Sequence, residues 1–146
     1  ECIDWSGMVL HSGQITCDAP PFSEQEKNWG ALPTWISRSA QQALRWKWES
    51  VDGRIIDHGV QRFAKPSELQ LPEARVSFEK EGQGITLTTD SVAYGVQLTS
   101  SIPGRFSSNG MTLVPHEAVW IEFFPEQKGA KMGDITVRHL AQFQRH

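Results

Sequence analysis

The sequence has few cysteines and no large excess of either charge. Cys2 and Cys17 are the only two cysteines among its 146 residues, too few for a disulfide scaffold or, without histidine ligands, for a four-ligand zinc site. The five histidines show no metal-ligand spacing, so we expect free thiols, no metal and no cofactor. The chain carries 14 basic and 17 acidic side chains, whereas nucleic-acid binding needs clustered lysine and arginine. We expect no nucleic-acid partner.

Long apolar runs are also missing. No segment approaches the ~20 apolar residues that a membrane helix needs, so we expect no membrane association. No Asn-x-Ser/Thr acceptor occurs, which removes one sign of a secreted glycoprotein and leaves the compartment open, cytoplasmic or periplasmic if the source is bacterial. Hydrophobic residues nevertheless make up 38% of the chain, which is ordinary for a folded domain and excludes a disordered tail.

The chain does show the two-residue period of β-strands. Leu44, Trp46 and Trp48 alternate with charged residues, as in a strand with one buried face. The Asp-Gly pair at 52–53 then predicts a hairpin, with a return strand over residues 55–63. An all-β fold follows from this pattern and its repetition along the chain.

The register of this hairpin depends on which side chains share a face. A two-residue turn would place Trp48 opposite Asp57, whereas a three-residue loop at 51–53 with a left-handed Gly53 places it opposite Ile56. A slip of one residue sends a whole set of side chains to the wrong face, so we predict the three-residue loop. The pairs that it implies are Leu44 with Val60, Trp46 with His58 and Trp48 with Ile56.

Short apolar stretches separated by turn signals recur beyond residue 72. About six strands in so short a region are typical of an immunoglobulin-like β-sandwich. The predicted strands contain Val76 and Phe78; Ile85 and Leu87; Tyr94, Val96 and Leu98; Val119, Ile121 and Phe123; and Ile135 and Val137.

Prolines mark the boundary between two halves. Pro66 and Pro72 interrupt the alternation, because proline cannot donate to a sheet ladder. We predict a partial immunoglobulin-like domain over residues 1–66, a linker over 67–72 and a complete immunoglobulin-like sandwich over 73–146.

The first half has too few strands for a sandwich of its own. Strands are recognisable only at residues 8–17, 44–50 and 55–63, and one sheet cannot cover its own apolar face. We therefore expect the opening strands of this domain to lie before Glu1. A short helix over 37–46 is an alternative for that segment.

Six tryptophans are the most prominent feature of the composition. Aromatic rings stack on the apolar faces of sugars, but they also fill β-sandwich cores. Trp46, Trp48 and Trp120 lie in strand alternation, so we predict that they are core residues. Trp29 and Trp35 lie in a polar, irregular segment, where packing, an interdomain contact and a ligand surface are equally open.

The spacing of acidic residues and histidines shows no catalytic set. A retaining glycosidase needs two carboxyl groups about 5–5.5 Å apart, but neither Glu117 nor Glu122 has a partner fixed by spacing, and we predict that both are solvated. The Asp57-His58 pair has no serine in a Gly-x-Ser-x-Gly elbow to act with. We predict no catalytic residue in this chain.

Residues 101–117 form the most informative segment. It is rich in glycine, proline, serine and asparagine and carries an aromatic anchor at Phe106. The side chains of Ser107, Ser108 and Asn109 are of the kind that bonds nearby backbone and holds a bend. A long loop that enters a strand and then a proline turn is expected here.

Part of this segment carries a family resemblance. The run Gly-Arg-Phe-Ser-Ser-Asn-Gly-Met at 104–111, with Pro-His-Glu at 115–117, resembles the C-terminal immunoglobulin-like domain of β-mannosidases in glycoside hydrolase family 2. That family typically reads Gly-Arg-Phe-Ser-Asp-Asn-Gly-Phe and ends on Pro-Gly-Glu. Ser108 replaces its aspartate, Met111 its second aromatic residue and His116 its turn glycine. The lost glycine predicts a different local φ at this turn.

The resemblance implies a parent enzyme that releases terminal non-reducing β-D-mannose with retention, in carbohydrate catabolism. In that family two glutamates on a (β/α)₈ barrel act as acid/base and nucleophile, and the barrel lies N-terminal to the region seen here. The resemblance therefore implies that the chain is inactive alone and that the catalytic barrel is its partner, which it supports as a scaffold.

Two other functions are compatible with the sequence. One is a carbohydrate-binding module that contacts mannose-containing saccharides through Trp29, Trp35, Phe106 and Asn109. The other is the same region of a related exo-β-glucosaminidase or endo-β-mannosidase, since these share the C-terminal architecture.

Overall fold

The computed structural model describes residues 1–16 and 39–144. These residues form an all-β, antiparallel fold, as predicted, with two short 3₁₀ helices at Pro66–Glu68 and Leu140–Phe143. In the described part of the chain no helix is long and apolar enough to cross a membrane. The strands are β1 (Cys2–Asp4), β2 (Val9–His11), β3 (Gln42–Glu49), β4 (Ile55–Arg62), β5 (Val76–Glu81), β6 (Gly84–Thr89), β7 (Ala93–Ser100), β8 (Gly104–Phe106), β9 (Met111–Leu113), β10 (Val119–Pro125) and β11 (Ile135–Arg138).

The C-terminal half contains two sheets that share one hydrophobic core. One has the order β5-β6-β10-β8 and the other β11-β7-β9. The alternation predicted for β10 is confirmed, because Ile121 and Phe123 are buried on one face; Trp120 lies on the other face and is exposed, although it was predicted to be a core residue. This arrangement is consistent with the predicted β-sandwich. The buried residues of this core are Ala74, Ile85, Leu87, Ala93, Val96, Leu98, Leu113 and Ile121.

A bulge in β7 changes one detail of the predicted alternation. Ala93 pairs with Leu113, but Val96 pairs with Met111, so the register shifts between them. Gly95 lies in this bulge with φ +66°, a left-handed conformation that glycine adopts without a Cβ clash. As a result Val96 lies in the sandwich core with Leu98, whereas Tyr94 packs against a second cluster.

The N-terminal half forms a sheet of order β2-β1-β3-β4. Sequence reasoning missed β1 and placed β2 too broadly, at residues 8–17. The helical alternative for 37–46 is wrong over its described part, because β3 begins at Gln42. Ile3 of β1 pairs with Ala43 of β3, and both are completely buried, which explains how this short strand is held.

The hairpin of β3 and β4 has the predicted loop but not the predicted register. Glu49 pairs with Ile55 and Gly53 has φ +81°, as a three-residue loop requires. A bulge next to Trp48 then shifts the pairing by one residue, so that Trp48 lies opposite Asp57 and Trp46 opposite Gly59. The prediction assumed that these tryptophans face a core, and they do not.

A second hydrophobic cluster joins the two halves. Trp5 Nε1 donates to the carbonyl of Ala40 at 2.7 Å, and the Trp5 carbonyl accepts from the backbone N–H of Val92 at 2.9 Å. Leu69, inside the predicted linker, is buried in this cluster, so the segment packs instead of spanning solvent. The domain boundaries themselves stay a prediction. The buried members are Ile3, Trp5, Ala43, Leu69, Val92 and Val114.

Candidate functional site

Two of the four predicted sugar-contacting residues lie outside the described residues. These are Trp29 and Trp35. Cys17 also lies outside the described residues. Phe106 is half-buried against the sandwich core, and its ring centroid is 5.1 Å from that of Phe123. The main contact of Phe106 in this structure is therefore aromatic packing between β8 and β10.

The side chain of Asn109 forms the two backbone hydrogen bonds with Leu98 that a residue of a neighbouring strand would otherwise form. Its Oδ1 accepts from the backbone N–H of Leu98 at 2.8 Å, and its Nδ2 donates to the Leu98 carbonyl at 3.0 Å. The backbone N–H of Gly110 then donates to the Val96 carbonyl at 2.8 Å. Asn109 thus extends the pairing between β7 and β9 by one carboxamide and fixes the loop before β9.

Ser107 anchors the same segment to the other sheet. Its backbone N–H donates to the Glu122 carbonyl at 2.8 Å, and its Oγ accepts from the Glu122 N–H at 3.0 Å. Residues 104–111 are therefore bonded to β10 through Ser107 and to β7 through Asn109. The family-like run connects one sheet of the sandwich to the other. Ser107 and Asn109 do bond backbone groups, but these belong to strands 15 and 11 residues away and not to the nearby backbone that the prediction named.

The turn at 114–117 places a histidine in a backbone conformation that glycine favours. His116 has φ +65°, in the left-handed region that glycine favours and that histidine adopts less readily. The prediction that this φ differs from that of the family's glycine stays a prediction; the left-handed φ of His116 is a conformation that costs free energy in a residue with a Cβ. Gly7 packs on Pro115 so closely that a Cβ there would lie 2.7 Å from the proline Cγ.

Glu117 connects this turn to the N-terminal sheet, which corrects the expectation of a solvated side chain. Its Oε1 accepts from Arg45 Nη2 and lies 3.0 Å from Lys47 Nζ. The Arg45 side chain is only 15% exposed and also lies 3.5 Å from a carboxylate oxygen of Glu1. Because residues two apart on a strand share a face, β3 presents both cations on one side.

Sequence reasoning did not find this ion-pair cluster. The alternation of β3 did place Arg45 and Lys47 on the face opposite Trp46 and Trp48, and that was the available signal. The prediction placed the tryptophan face of β3 in the core, because tryptophan is usually more buried than arginine. In the structure the arginine face is turned toward Glu117 and the rest of the chain.

The three tryptophans predicted to be core are exposed. Trp46, Trp48 and Trp120 have exposed fractions of 40%, 53% and 53%. Two of them rest on glycine: a Cβ at Gly59 would lie 2.9 Å from the Trp46 indole, and one at Gly84 would lie 2.6 Å from that of Trp120. The predicted alternation of side chains along these strands is correct, but the tryptophans lie on the outer face of each sheet and not on the core face.

A polar groove of about 390 Å³ lies beside β5, lined by Glu73, Arg75, Asp90 and His139 among others. The backbone N–H of Arg75 donates to Asp90 at 2.8 Å, and this bond, with the Ser91 hydroxyl and the Arg75 charge, lowers the pKa of Asp90.

In the described ranges no group of His, Cys, Asp and Glu is arranged to hold a metal ion. The buried Cys2 is a free thiol, and burial raises its pKa.

The comparison with protein families finds a match that includes the segment at 104–117. A family model described as an Ig-fold domain, Ig_mannosidase, matches residues 66–143. The match begins at the 3₁₀ helix that precedes the predicted C-terminal domain and covers both sheets of the sandwich, including Ser107, Asn109 and Glu117. No match was found among the curated proteins. Since the matched residues are more than half of the chain, the chain belongs to the Ig_mannosidase family of Ig-fold domains.

Proposed function

We propose that this chain is the non-catalytic C-terminal β-sandwich region of a retaining β-mannosidase, where it supports the catalytic (β/α)₈ barrel. The observation that carries the proposal is the mannosidase-type Ig-fold match over residues 66–143. Within it, the run at 104–117 has the spacing of the β-mannosidase segment, and its polar side chains have defined structural roles. The proposed reaction of the parent enzyme is hydrolysis of terminal non-reducing β-D-mannose residues.

The contacts of the described residues favour a supporting role over a catalytic one. Three polar side chains of the 104–117 segment are engaged with backbone or ion-pair partners: Asn109 with Leu98, Ser107 with Glu122, and Glu117 with Arg45. A catalytic carboxylate pair would instead have to face a common cleft at the separation that glycoside hydrolysis requires. Glu117 contributes to stiffness between the two halves, which a support for a barrel needs.

The test is an assay of the purified chain on an aryl β-D-mannoside. We expect no turnover above the buffer blank, with matched aryl β-D-glucoside and β-D-glucosaminide substrates as controls. Turnover that disappears on substitution of a glutamate of this chain would contradict the proposal.

A second arm uses the full gene product that contains this chain. There we expect β-mannosidase activity, and we expect Asn109→Ala to lower the thermal midpoint while leaving KM for the aryl mannoside unchanged. A full-length protein that hydrolyses the glucosaminide in preference would assign the region to an exo-β-glucosaminidase instead.

A further inference from the structure

The connection between β8 and β9 contains the dipeptide Asn109-Gly110. The chain has one other asparagine, Asn28, which precedes a tryptophan. Asparagine is a thermolabile residue, because the backbone nitrogen of the next residue can attack its carboxamide carbon. A glycine in that next position leaves the nitrogen unhindered, since it has no Cβ and adopts many backbone conformations. Asn109 is therefore the more reactive asparagine of the sequence.

The folded chain holds both reacting groups in place. Asn109 Oδ1 accepts from the Leu98 N–H at 2.8 Å, and Nδ2 donates to the Leu98 carbonyl at 3.0 Å. The Gly110 N–H donates to the Val96 carbonyl at 2.8 Å and lies 3.2 Å from Asn109 Oδ1. The nitrogen is thus beside the carboxamide, but attack requires the carboxamide to turn and to give up both bonds to Leu98.

Opening of this connection does not disrupt the hydrophobic core. Residues 107–110 are exposed, and a Cβ at Gly110 would meet no atom within 4 Å. Segments of this kind, with few buried apolar contacts, open locally at a lower free energy than the whole chain unfolds. The opened connection is therefore the state in which Asn109 can react.

We propose that Asn109 is a site of spontaneous deamidation that the native hydrogen bonds gate. In the opened connection the Gly110 nitrogen gives its proton to solvent hydroxide and forms a bond to Asn109 Cγ. The Cγ–Nδ2 bond breaks, and the nitrogen leaves as ammonia after it takes a proton from water. A second water molecule then hydrolyses the cyclic imide at one of its two carbonyl groups, which gives aspartate or isoaspartate. The net change is amide plus water to acid plus ammonia, with no oxidation or reduction.

Either product removes the bonds that fix the connection. Aspartate has no Nδ2 donor, so a carboxylate oxygen faces the Leu98 carbonyl, and two acceptors cannot bond each other. Isoaspartate also adds a methylene group to the main chain, which changes the spacing between Ser107 and Gly110. The opened state is thereby converted irreversibly, and the lifetime of the native connection becomes a rate as well as an equilibrium. This reaction goes beyond the supporting function and is independent of the activity of the parent enzyme.

The experiment incubates the whole chain in mildly alkaline buffer, once folded and once in denaturant, and follows both asparagines by peptide mapping with mass spectrometry. In denaturant we expect Asn109 to react at least about tenfold faster than Asn28, because glycine does not hinder the attack. In the folded chain we expect Asn109 to react at least about tenfold slower than in denaturant, because the connection must open first. Deamidated chains separated by charge should unfold at a lower temperature than unreacted chains.

Ser107→Ala tests the gate without changing the reacting residues. It removes the Oγ that accepts from the Glu122 N–H at 3.0 Å, so the connection should open more often. The rate at Asn109 should rise about twofold to tenfold in the folded chain, the equivalent of one net hydrogen bond, and stay the same in denaturant. Ser77→Ala, at an exposed position of β5, is the matched control and should change neither rate. Thermal midpoints establish that each variant is folded.

Equal rates at Asn109 and Asn28 in denaturant would overturn the proposal. So would equal rates at Asn109 in the folded and the denatured chain, or a folded-state rate that Ser107→Ala leaves unchanged, because the native bonds would then not gate the reaction. If deamidated and unreacted chains unfold at the same temperature, the connection does not depend on the carboxamide and the proposal is also wrong.

Discussion

Glu117→Gln removes the charge that joins the C-terminal sandwich to β3 and keeps the size of the side chain. The carboxylate contacts Arg45 and lies 3.0 Å from Lys47 Nζ. An exposed ion pair contributes about 0.2–1 kcal/mol, and a hydrogen bond to a charged group about 1.5–3 kcal/mol. Glu117 is 32% exposed and Arg45 15%, so we expect an intermediate loss of about 1.5 kcal/mol in the free energy of unfolding.

Thermal unfolding followed by circular dichroism measures this loss. For a chain of 146 residues, about 1.5 kcal/mol corresponds to a decrease of roughly 4–6 °C in the thermal midpoint. Salt at 1 M shortens the screening length to about 3 Å, so the difference between wild type and variant should shrink by half or more. Glu79→Gln, on an exposed position of β5, is the matched control and should shift the midpoint by less than about 1 °C.

The reasoning would be refuted if Glu117→Gln and Glu79→Gln shifted the midpoint equally. It would also be refuted by a large shift that does not depend on salt, because an electrostatic contribution at a partly exposed pair must be screened. In a double-mutant cycle, Glu117→Gln combined with Arg45→Met should lose less stability than the sum of the two single losses if the pair itself is responsible.

Three further predictions concern single residues. Asn109→Ala should lower the free energy of unfolding by about 2–3 kcal/mol, because it leaves the N–H and carbonyl of Leu98 without their side-chain partner; hydrogen exchange at the Leu98 amide should accelerate, and Asn109→Asp should not rescue the loss, because its carboxylate oxygen would face the Leu98 carbonyl in place of the Nδ2 donor. His116→Gly relieves the left-handed strain, so it should be about 1–2 kcal/mol more stable in chemical denaturation than His116→Val; equal stabilities would contradict the backbone assignment. The pKa of Asp90 is lower in the folded chain than in the unfolded chain, chiefly through the bond from the Arg75 N–H, so its contribution to stability is present above the ordinary aspartate pKa and is lost as pH falls through the folded value. Asp90→Asn should therefore flatten the decrease of the thermal midpoint that sets in as pH falls below the ordinary aspartate pKa of about 4.

Local pattern predicted the β-strands of the C-terminal half because those strands have one face in a closed core. Along β10, the period of two separates Ile121 and Phe123 from Trp120, although by itself it did not say that the Trp120 face is the exposed one. The same reasoning succeeded for the loop between β3 and β4, because the conformation of Gly53 is a property of a few neighbouring residues.

Local pattern failed where the choice of buried face depended on distant residues. The side chains of β3 alternate in the way that the sequence indicates, but alternation alone does not say which face meets the rest of the chain. That choice was made by Ile3, Val92 and Val114, which pack on the Ala43 side, and by Glu117, which pairs with Arg45. Residues so far apart in sequence leave no periodic signal in β3 itself.

The sequence by itself determined the all-β class, the positions of most strands in the C-terminal half and the mannosidase-type character of the segment at 104–117. These properties depend on periodicity, on turn residues and on a short specific motif. The tertiary structure alone decided which tryptophans are exposed, that His116 has a left-handed backbone and that Glu117 joins the two halves. Each of these is settled by groups brought together across sheets, where packing and charge pairing outweigh the preferences of any single strand.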